Sequence, residues 1–324
     1  MKAVLCKTLD GPQSLTICEL PDPEPGPREV VVRVTAAALN FFDTLITRGK
    51  YQNKPELPFS PVGEIAGVVA RIGAGVEGLV PGQRVACHLG WGGARELVVV
   101  KPEQCVPIPD GVSDAAAAGV AITYGTAIHG LRDRGGLAPS ETIAVLGASG
   151  GAGLAAVEIA RLMGARVIAV ASSPEKLAVA KAHGAEILVD YAAGDLKEML
   201  RAATGGKGVD VVYDCVGGPY AEPALRAIAP RGRYLVVGFA AGEIPKLPLN
   251  LVMLKDCDVR GVLWGRFVKT EPKAHRANME QVLAWIADGV LKPRIHGSYP
   301  MADIIEALGI LDRREAVGKV VLVP

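Results

Sequence analysis

Histidine is scarce in this chain. There are five, His88, His129, His183, His275 and His296, and no two stand at a ligand spacing. The six cysteines (Cys6, Cys18, Cys87, Cys105, Cys215 and Cys257) are as dispersed. They offer neither the short spacing of a four-sulfur zinc lobe nor the pattern of a disulfide framework. Reduced, buried cysteines in a cytoplasmic protein are expected. An excess of one charge is lacking too: the formal net charge is +1, which argues against a partner held by phosphate electrostatics. Aromatic residues make up 5% of the chain and form no stripe with basic ones, so an RNA surface is disfavoured. No apolar run reaches the length of a membrane span. The longest low-charge stretch, 115–128, is short and carries Thr123, Tyr124 and two glycines. Residues 1–6 run directly into strand-like sequence, without the apolar core of a secretory signal. No internal repeat or low-complexity segment is evident.

What the chain does have is bulk and punctuation. Its 324 residues, half of them apolar, suffice for about two domains with a core each. Over 1–120 the pattern is of short strands, at 30–34, 63–73, 80–87 and 95–101, with Gly and Pro at the turns. Pro21, Pro23, Pro25 and Pro27 mark an extended connector that cannot join a central ladder. A small, mostly-β, barrel-like module is predicted. From Thr123 the pattern changes. Strands at 142–146, 166–171, 187–190, 209–214, 233–238 and 259–264 alternate with helices at 154–163, 173–183, 195–203 and 221–228. That alternation predicts an α/β doubly wound parallel sheet in the order 3-2-1-4-5-6. A helix at 277–288 and a strand at 318–324 complete the reading.

The first strand of that alternation runs into Gly147, Ala148, Ser149, Gly150, Gly151, Ala152 and Gly153 and then into a helix. Strand, glycine turn, helix, strand is the unit that binds a dinucleotide pyrophosphate. The helix start offers unpaired N–H groups and the positive end of a dipole. Ala148 replaces the usual first glycine, with Gly147 just before it. An NAD site places a carboxylate on the ribose at the end of the second strand, about 20 residues beyond the turn. Here that end is Ser172, with Ser173 next and Lys176 one step along the helix. A 2′-phosphate would meet no repulsion and could gain a point charge, so NADPH is the expected cofactor. Phe239 and Trp264 follow strands five and six at the ends where ligands bind in such sheets.

In order along the chain stand Asn40-Phe-Phe-Asp43, Gly63-Glu64, Val80-Pro-Gly-Gln-Arg-Val85, Ala148-Ser-Gly-Gly-Ala-Gly153 and Gly318-Lys-Val-Val-Leu322. Together they resemble the zinc-independent quinone oxidoreductase branch of the medium-chain dehydrogenase/reductase superfamily. Gly238-Phe-Ala-Ala-Gly242 and Leu263-Trp-Gly265 look most like its quinone oxidoreductase-like subgroup. The resemblance covers the whole chain. It implies a Rossmann domain at 123–262, a GroES-like catalytic domain made from 1–122 and 263–324, a cleft between the two, and a homodimer paired through the sixth strands. An exposed edge strand invites such pairing on physical grounds as well.

The resemblance also assigns residues. Zinc-dependent relatives carry Cys where this chain has Asn40, and His where it has Gly63, so a metal-free mechanism is expected. Asn40 and Tyr51 match positions at the nicotinamide and the substrate mouth, and Thr123 a contact at the nicotinamide end. Tyr191 and Arg314 match residues on the 2′-phosphate, while Gly238 and Lys319 stand within the quoted motifs. Asp43 reads as structural. The implied activity is hydride transfer from NADPH to a quinone or an α,β-unsaturated carbonyl, small molecules whose reduction delocalises the new charge. An enoyl or acryloyl thioester reductase and a non-catalytic, crystallin-like NADPH-binding protein are the alternatives. No membrane partner is expected.

Overall fold

A computed structural model describes residues 1–324. The chain divides into two compact units, Met1–Ile122 with Pro272–Pro324, and Thr123–Glu271. In the first, β1 (Lys2–Leu5) and β2 (Thr16–Glu19) pair antiparallel. Then come β3 (Val30–Leu39), α1 (Phe41–Ile46), β4 (Glu64–Ile72), β5 (Arg84–His88), β6 (Leu97–Val100), β7 (Cys105–Pro107) and α2 (Asp114–Ala118). The helix α3 (Ala121–Ile128) leads into the second unit. That unit holds β8 (Thr142–Leu146), α4 (Gly151–Leu162), β9 (Arg166–Ala171), α5 (Pro174–Ala182), β10 (Ile187–Asp190), α6 (Leu196–Ala203) and β11 (Val209–Asp214). It continues with α7 (Ala221–Arg226), β12 (Ile228–Val236), α8 (Leu249–Lys255), β13 (Asp258–Gly261) and α9 (Trp264–Thr270). The chain then returns to the first unit with α10 (Pro272–Ala287), β14 (Ile295–Pro300), α11 (Ile304–Asp312) and β15 (Lys319–Val323).

The main sheet of the first unit runs β14-β15-β3-β4-β5-β7, with β6 also on β3. All its pairs are antiparallel except β14 with β15. The valine- and alanine-rich β3 is buried along almost its whole length because every edge of it is used. β4 covers one side, while the other is shared by β6 over Val30–Arg33 and β15 over Ala37–Leu39. This sharing decides where the end of β3 points its neighbours. Leu39 faces Val320 of β15, and Ala38 faces Glu64 of β4. Residues far apart in the chain therefore meet at Asn40.

The second unit is a six-stranded, all-parallel sheet in the order β10-β9-β8-β11-β12-β13, the 3-2-1-4-5-6 order read from the sequence. β8 lies at the centre and is buried from Ile143 to Leu146. Between β8 and β11 the strand order reverses, and the crevice outside the carboxyl ends of such strands is where ligands bind. β13 is an edge, mostly exposed.

Three boundaries differ from the sequence reading. The sixth strand ends at Gly261, and Trp264 opens α9 instead of closing a strand. The return to the first unit comes at Pro272, later than 263. The reason is packing: Trp264 lies against Gly125, and Phe267 stacks on His129 with ring centroids 4.4 Å apart. These contacts keep α9 with the second unit. The helix read at 221–228 stops at Arg226, and Ile228 already starts β12.

Candidate active site

In the second unit the glycine turn is built by close approach. Gly147 has a φ of +74°, and its N–H and that of Ala148 donate to Val170 O at 3.0 and 3.2 Å. Gly150 is the N-cap of α4 and carries no capping side chain, so the first N–H groups of the helix are left for a ligand. At Gly153 a Cβ would lie 2.1 Å from Gly147 O, which makes glycine obligatory where helix meets turn. Ala148 and Ser149 are buried in that turn, whereas Gly151 and Ala152 are half-buried on the first turn of α4.

The ends of β11 and β12 complete the rim. Asp214 is buried. One of its oxygens accepts the N–H groups of Val216 and Gly217 at 2.8 and 2.9 Å, and Tyr234 donates its hydroxyl to the other. The segment after β12 crosses over: Gly238 N–H donates to Asp214 O and Ala240 N–H to Cys215 O, both at 3.1 Å. A Cβ on Gly217 would touch Phe239, and one on Gly147 would touch Val216. Gly238 and Phe239 thus share one rim with the glycine turn. Trp264, read from the sequence as a further rim residue, is buried against Gly125.

A second cluster lies at the end of β9. Ser173 caps α5 by accepting the N–H of Lys176 at 3.4 Å, with Pro174 at the first helical position. Lys176 Nζ donates to Ser172 Oγ at 3.3 Å. Tyr191 N–H donates to Ala171 O at 3.1 Å, bringing Tyr191 beside Ser172, and its ring leans on Tyr220 with centroids 4.2 Å apart. Tyr220 had no signal in the sequence. Thr123 is buried within α3.

The first unit holds a buried polar cluster around Asn40, the N-cap of α1. Lys319 Nζ donates to Asn40 Oδ1 at 2.8 Å, to Glu64 Oε1 at 2.8 Å and to Leu39 O at 2.9 Å. Asn40 Nδ2 donates to Glu64 Oε1 at 2.9 Å and to Ala38 O at 3.3 Å. The other oxygen of Glu64 accepts the N–H of Ile122 at 2.8 Å. Asp43 is wholly buried and accepts the N–H groups of Asn40 and Val62 at 2.8 and 3.1 Å. Burial pushes its carboxyl up to about 7, against the pull of those two N–H groups and of the Lys319 ammonium. Tyr51 stacks on Phe42 with centroids 5.1 Å apart, and burial with the nearby Asp43 raises its phenol, so the hydroxyl stays protonated. Lys319 is buried with its three protons committed. Arg314 is exposed, in a left-handed turn after α11. Glu64 could have been suspected from sequence as the lone carboxylate in an apolar strand, because a buried carboxylate requires a partner. That the partner is Lys319 could not.

This fold and these two clusters define a class: a nucleotide-binding α/β unit joined in one chain to an alcohol-dehydrogenase-like β unit. Residues 26–110 match the family described as alcohol dehydrogenase GroES-like domain, and residues 151–288 the family described as zinc-binding dehydrogenase. The quinone oxidoreductase-like protein 2 homolog of Nematostella vectensis is 38% identical over 99% of this chain and 88% of its own. The quinone oxidoreductase of Pseudomonas aeruginosa is 35% identical over 97% of both. The Escherichia coli quinone oxidoreductase, solved with NADPH, superposes with a TM-score of 0.94 at 28% identity over the full length of both. The chain belongs to the quinone oxidoreductase branch of the medium-chain dehydrogenase/reductase superfamily.

One of those family descriptions names zinc, and the residues here do not fit it. Gly63, at the histidine position of zinc-dependent relatives, has no room for a side chain. A Cβ there would lie 2.7 Å from Phe42 Cζ and 2.9 Å from Gly90 O. At the cysteine position stands Asn40, already bonded to an ammonium. No three His, Cys, Asp or Glu side chains gather as a metal-holding group.

Proposed function

We propose that this chain is an NADPH-dependent, metal-independent reductase of small quinones or α,β-unsaturated carbonyls. The observation that carries the reading is the buried Lys319–Glu64–Asn40 network, in which Asn40, at the cysteine position of zinc-dependent relatives, is bonded to an ammonium and a carboxylate instead. A site without a Lewis acid suits acceptors that delocalise the charge they receive. When bound, reduced nicotinamide supplies the hydride. The glycine turn and the start of α4 hold the pyrophosphate, with Gly238 and Phe239 on the same rim. Ser172, Ser173, Lys176 and Tyr191 take the 2′-phosphate, and no carboxylate occupies the end of β9 to repel it. Arg314 and Thr123 remain assigned on the resemblance alone. Asn40 orients what lies next to it, and the neutral Tyr51 hydroxyl, stacked on Phe42, is the proton-bearing group closest in kind to what an enolate or quinol anion needs. Turnover of NADPH with a benzoquinone and an enone panel tests this. Reduction of acyl thioesters alone moves the reading to the thioester reductase, and cofactor binding without any turnover to the crystallin-like protein.

The assembly is read as a homodimer through β13. Its outer edge has no strand beside it, and α8 just before it exposes Leu249, Met253 and Leu254 by 80, 73 and 71%. A second copy related by a two-fold axis can pair β13 antiparallel and cover those side chains together. Sedimentation of Val259→Asp should show monomer where the parent shows dimer. No helix is long and apolar enough to cross a membrane, and all six cysteines are free, including Cys87 and Cys105 with sulfurs 3.6 Å apart. The cytoplasmic reading rests on the dispersed spacing of these cysteines along the sequence.

A further inference from the structure

Donors and acceptors around Asn40 fix its amide in one orientation. A carboxylate can only accept and an ammonium can only donate. Glu64 Oε1 beside one end of the amide therefore identifies Nδ2, and Lys319 Nζ beside the other identifies Oδ1. Both hydrogens of Nδ2 are spent, on Glu64 and on Ala38 O. For any further contact Asn40 is left with Oδ1 alone, and there only as an acceptor.

Lys319 is held as tightly. Three oxygens, Asn40 Oδ1, Glu64 Oε1 and Leu39 O, surround its ammonium at 2.8 to 2.9 Å. It is buried, as is Glu64, so solvent does not screen the pair. Gly119 packs against the stem, where a Cβ would come within 3.1 Å of Lys319 Cγ and Cε. Position 119 is thus kept small beside the aliphatic chain.

We infer that Lys319 is a positioning residue: its ammonium sits in a three-oxygen cage and locks Asn40 as a pure hydrogen-bond acceptor. Asn40 then recognises an N–H or O–H donor, such as a carboxamide or a ribose hydroxyl, and cannot donate to an oxyanion. This goes beyond a direct contact of Lys319 with cofactor, and its catalytic part rests on the reductase reading above.

Two experiments test it. Lys319→Ala empties the cage, and the probe is propylammonium, which carries the missing cation and much of the missing stem. Thermal unfolding of the variant should rise saturably with propylammonium, and not with propanol or sodium. kcat with a quinone should fall by about tenfold or more while the KM for NADPH changes less than about threefold, and propylammonium should restore it. A folded variant that gains neither stability nor turnover from the amine overturns the cage. Unimpaired turnover in the variant overturns the positioning role. The second experiment swaps the polarity of the lock. Asn40→Asp sets a carboxylate against Glu64 and should lose both stability and turnover. In the double variant Asn40→Asp with Glu64→Gln, the new amide at position 64 can donate to the carboxylate at position 40, which remains an acceptor for Lys319, so both properties should recover in part, with the bonds of Lys319 to position 64 and of Ala38 O to position 40 still missing. A double variant that regains stability but no turnover shows that Asn40 must donate, which overturns the inference. Both stability arms read the lock even if the parent protein reduces no quinone or enone, in which case only the proposed function fails.

Discussion

The two units satisfy their polar groups in opposite ways. In the second, the groups left for a ligand are backbone N–H groups at the start of α4, arranged by a strand end and a helix start. In the first, they are side chains from three separate strands and turns, with Lys319 reaching Glu64 across 255 residues. A site made from backbone is cheap to keep, because a short stretch of glycine and alanine suffices. A site made from buried charges is all or nothing, since losing one partner strands the others without water.

That contrast can be broken, most severely in the first unit. Glu64→Leu leaves the Lys319 ammonium buried and without its carboxylate, and unfolding in denaturant should show a loss of about 3–5 kcal/mol. A loss under about 1 kcal/mol would mean that the ammonium finds another partner. In the second unit Gly153→Ala brings a Cβ against the carbonyl of Gly147, so the turn must shift. About 1–3 kcal/mol of stability should go, together with most NADPH binding by fluorescence. Unchanged binding would separate the turn from the cofactor.

A smaller effect sharpens the cofactor reading. Lys176→Ala removes one charge-assisted contact, worth about 1.5–3 kcal/mol. Titration should show NADPH weakened by about tenfold or more and NADH nearly unchanged. Equal affinity of the parent protein for both cofactors would remove the 2′-phosphate site.

The smallest net effect in the parent protein is on pH dependence, because two opposed contributions offset each other. Asp43, raised to about 7, binds its proton more readily folded than unfolded. Its contribution to stability is full below the unfolded value, near 4, and is lost as pH rises through about 7, by up to about 1.4 kcal/mol per unit. His275, lowered to about 4 by burial and by the neighbouring His88, acts in the opposite sense: its contribution is full above 6.5 and is lost as pH falls toward 4. Between those values the two oppose each other. Asp43→Asn should therefore leave stability rising with pH across that window, as measured by denaturation midpoints at pH 5, 6 and 7. A curve that is the same in parent and variant would show that Asp43 stays ionised.

The nucleotide unit was legible because each of its signals is local. Ser173 with Pro174 announces a helix start, and the residues 142–146 with their glycines announce strand and turn, wherever the rest of the chain goes. The place of Trp264 at the start of α9, rather than in a strand, is not legible in the sequence because it depends on Gly125 and on the stack of Phe267 upon His129, partners far away along the chain. Tyr51 was assigned by resemblance, but its stack on Phe42 and its proximity to Asp43 came from the fold.

By itself the sequence determined the parallel sheet with its strand order, the glycine turn, and the missing carboxylate at Ser172. Each rests on backbone preference, hydrophobic period or a residue type at a set distance along the chain. Only the tertiary structure decided what Asn40 can do. Its hydrogen bonds depend on β15 and β4 flanking the end of β3 in the observed register, where Val320 faces Leu39 and Glu64 faces Ala38. A shift of one residue would turn these side chains to the other face of the sheet. The need of a buried charge for a partner is written in a single residue, but the identity of the partner exists only once the strands are paired.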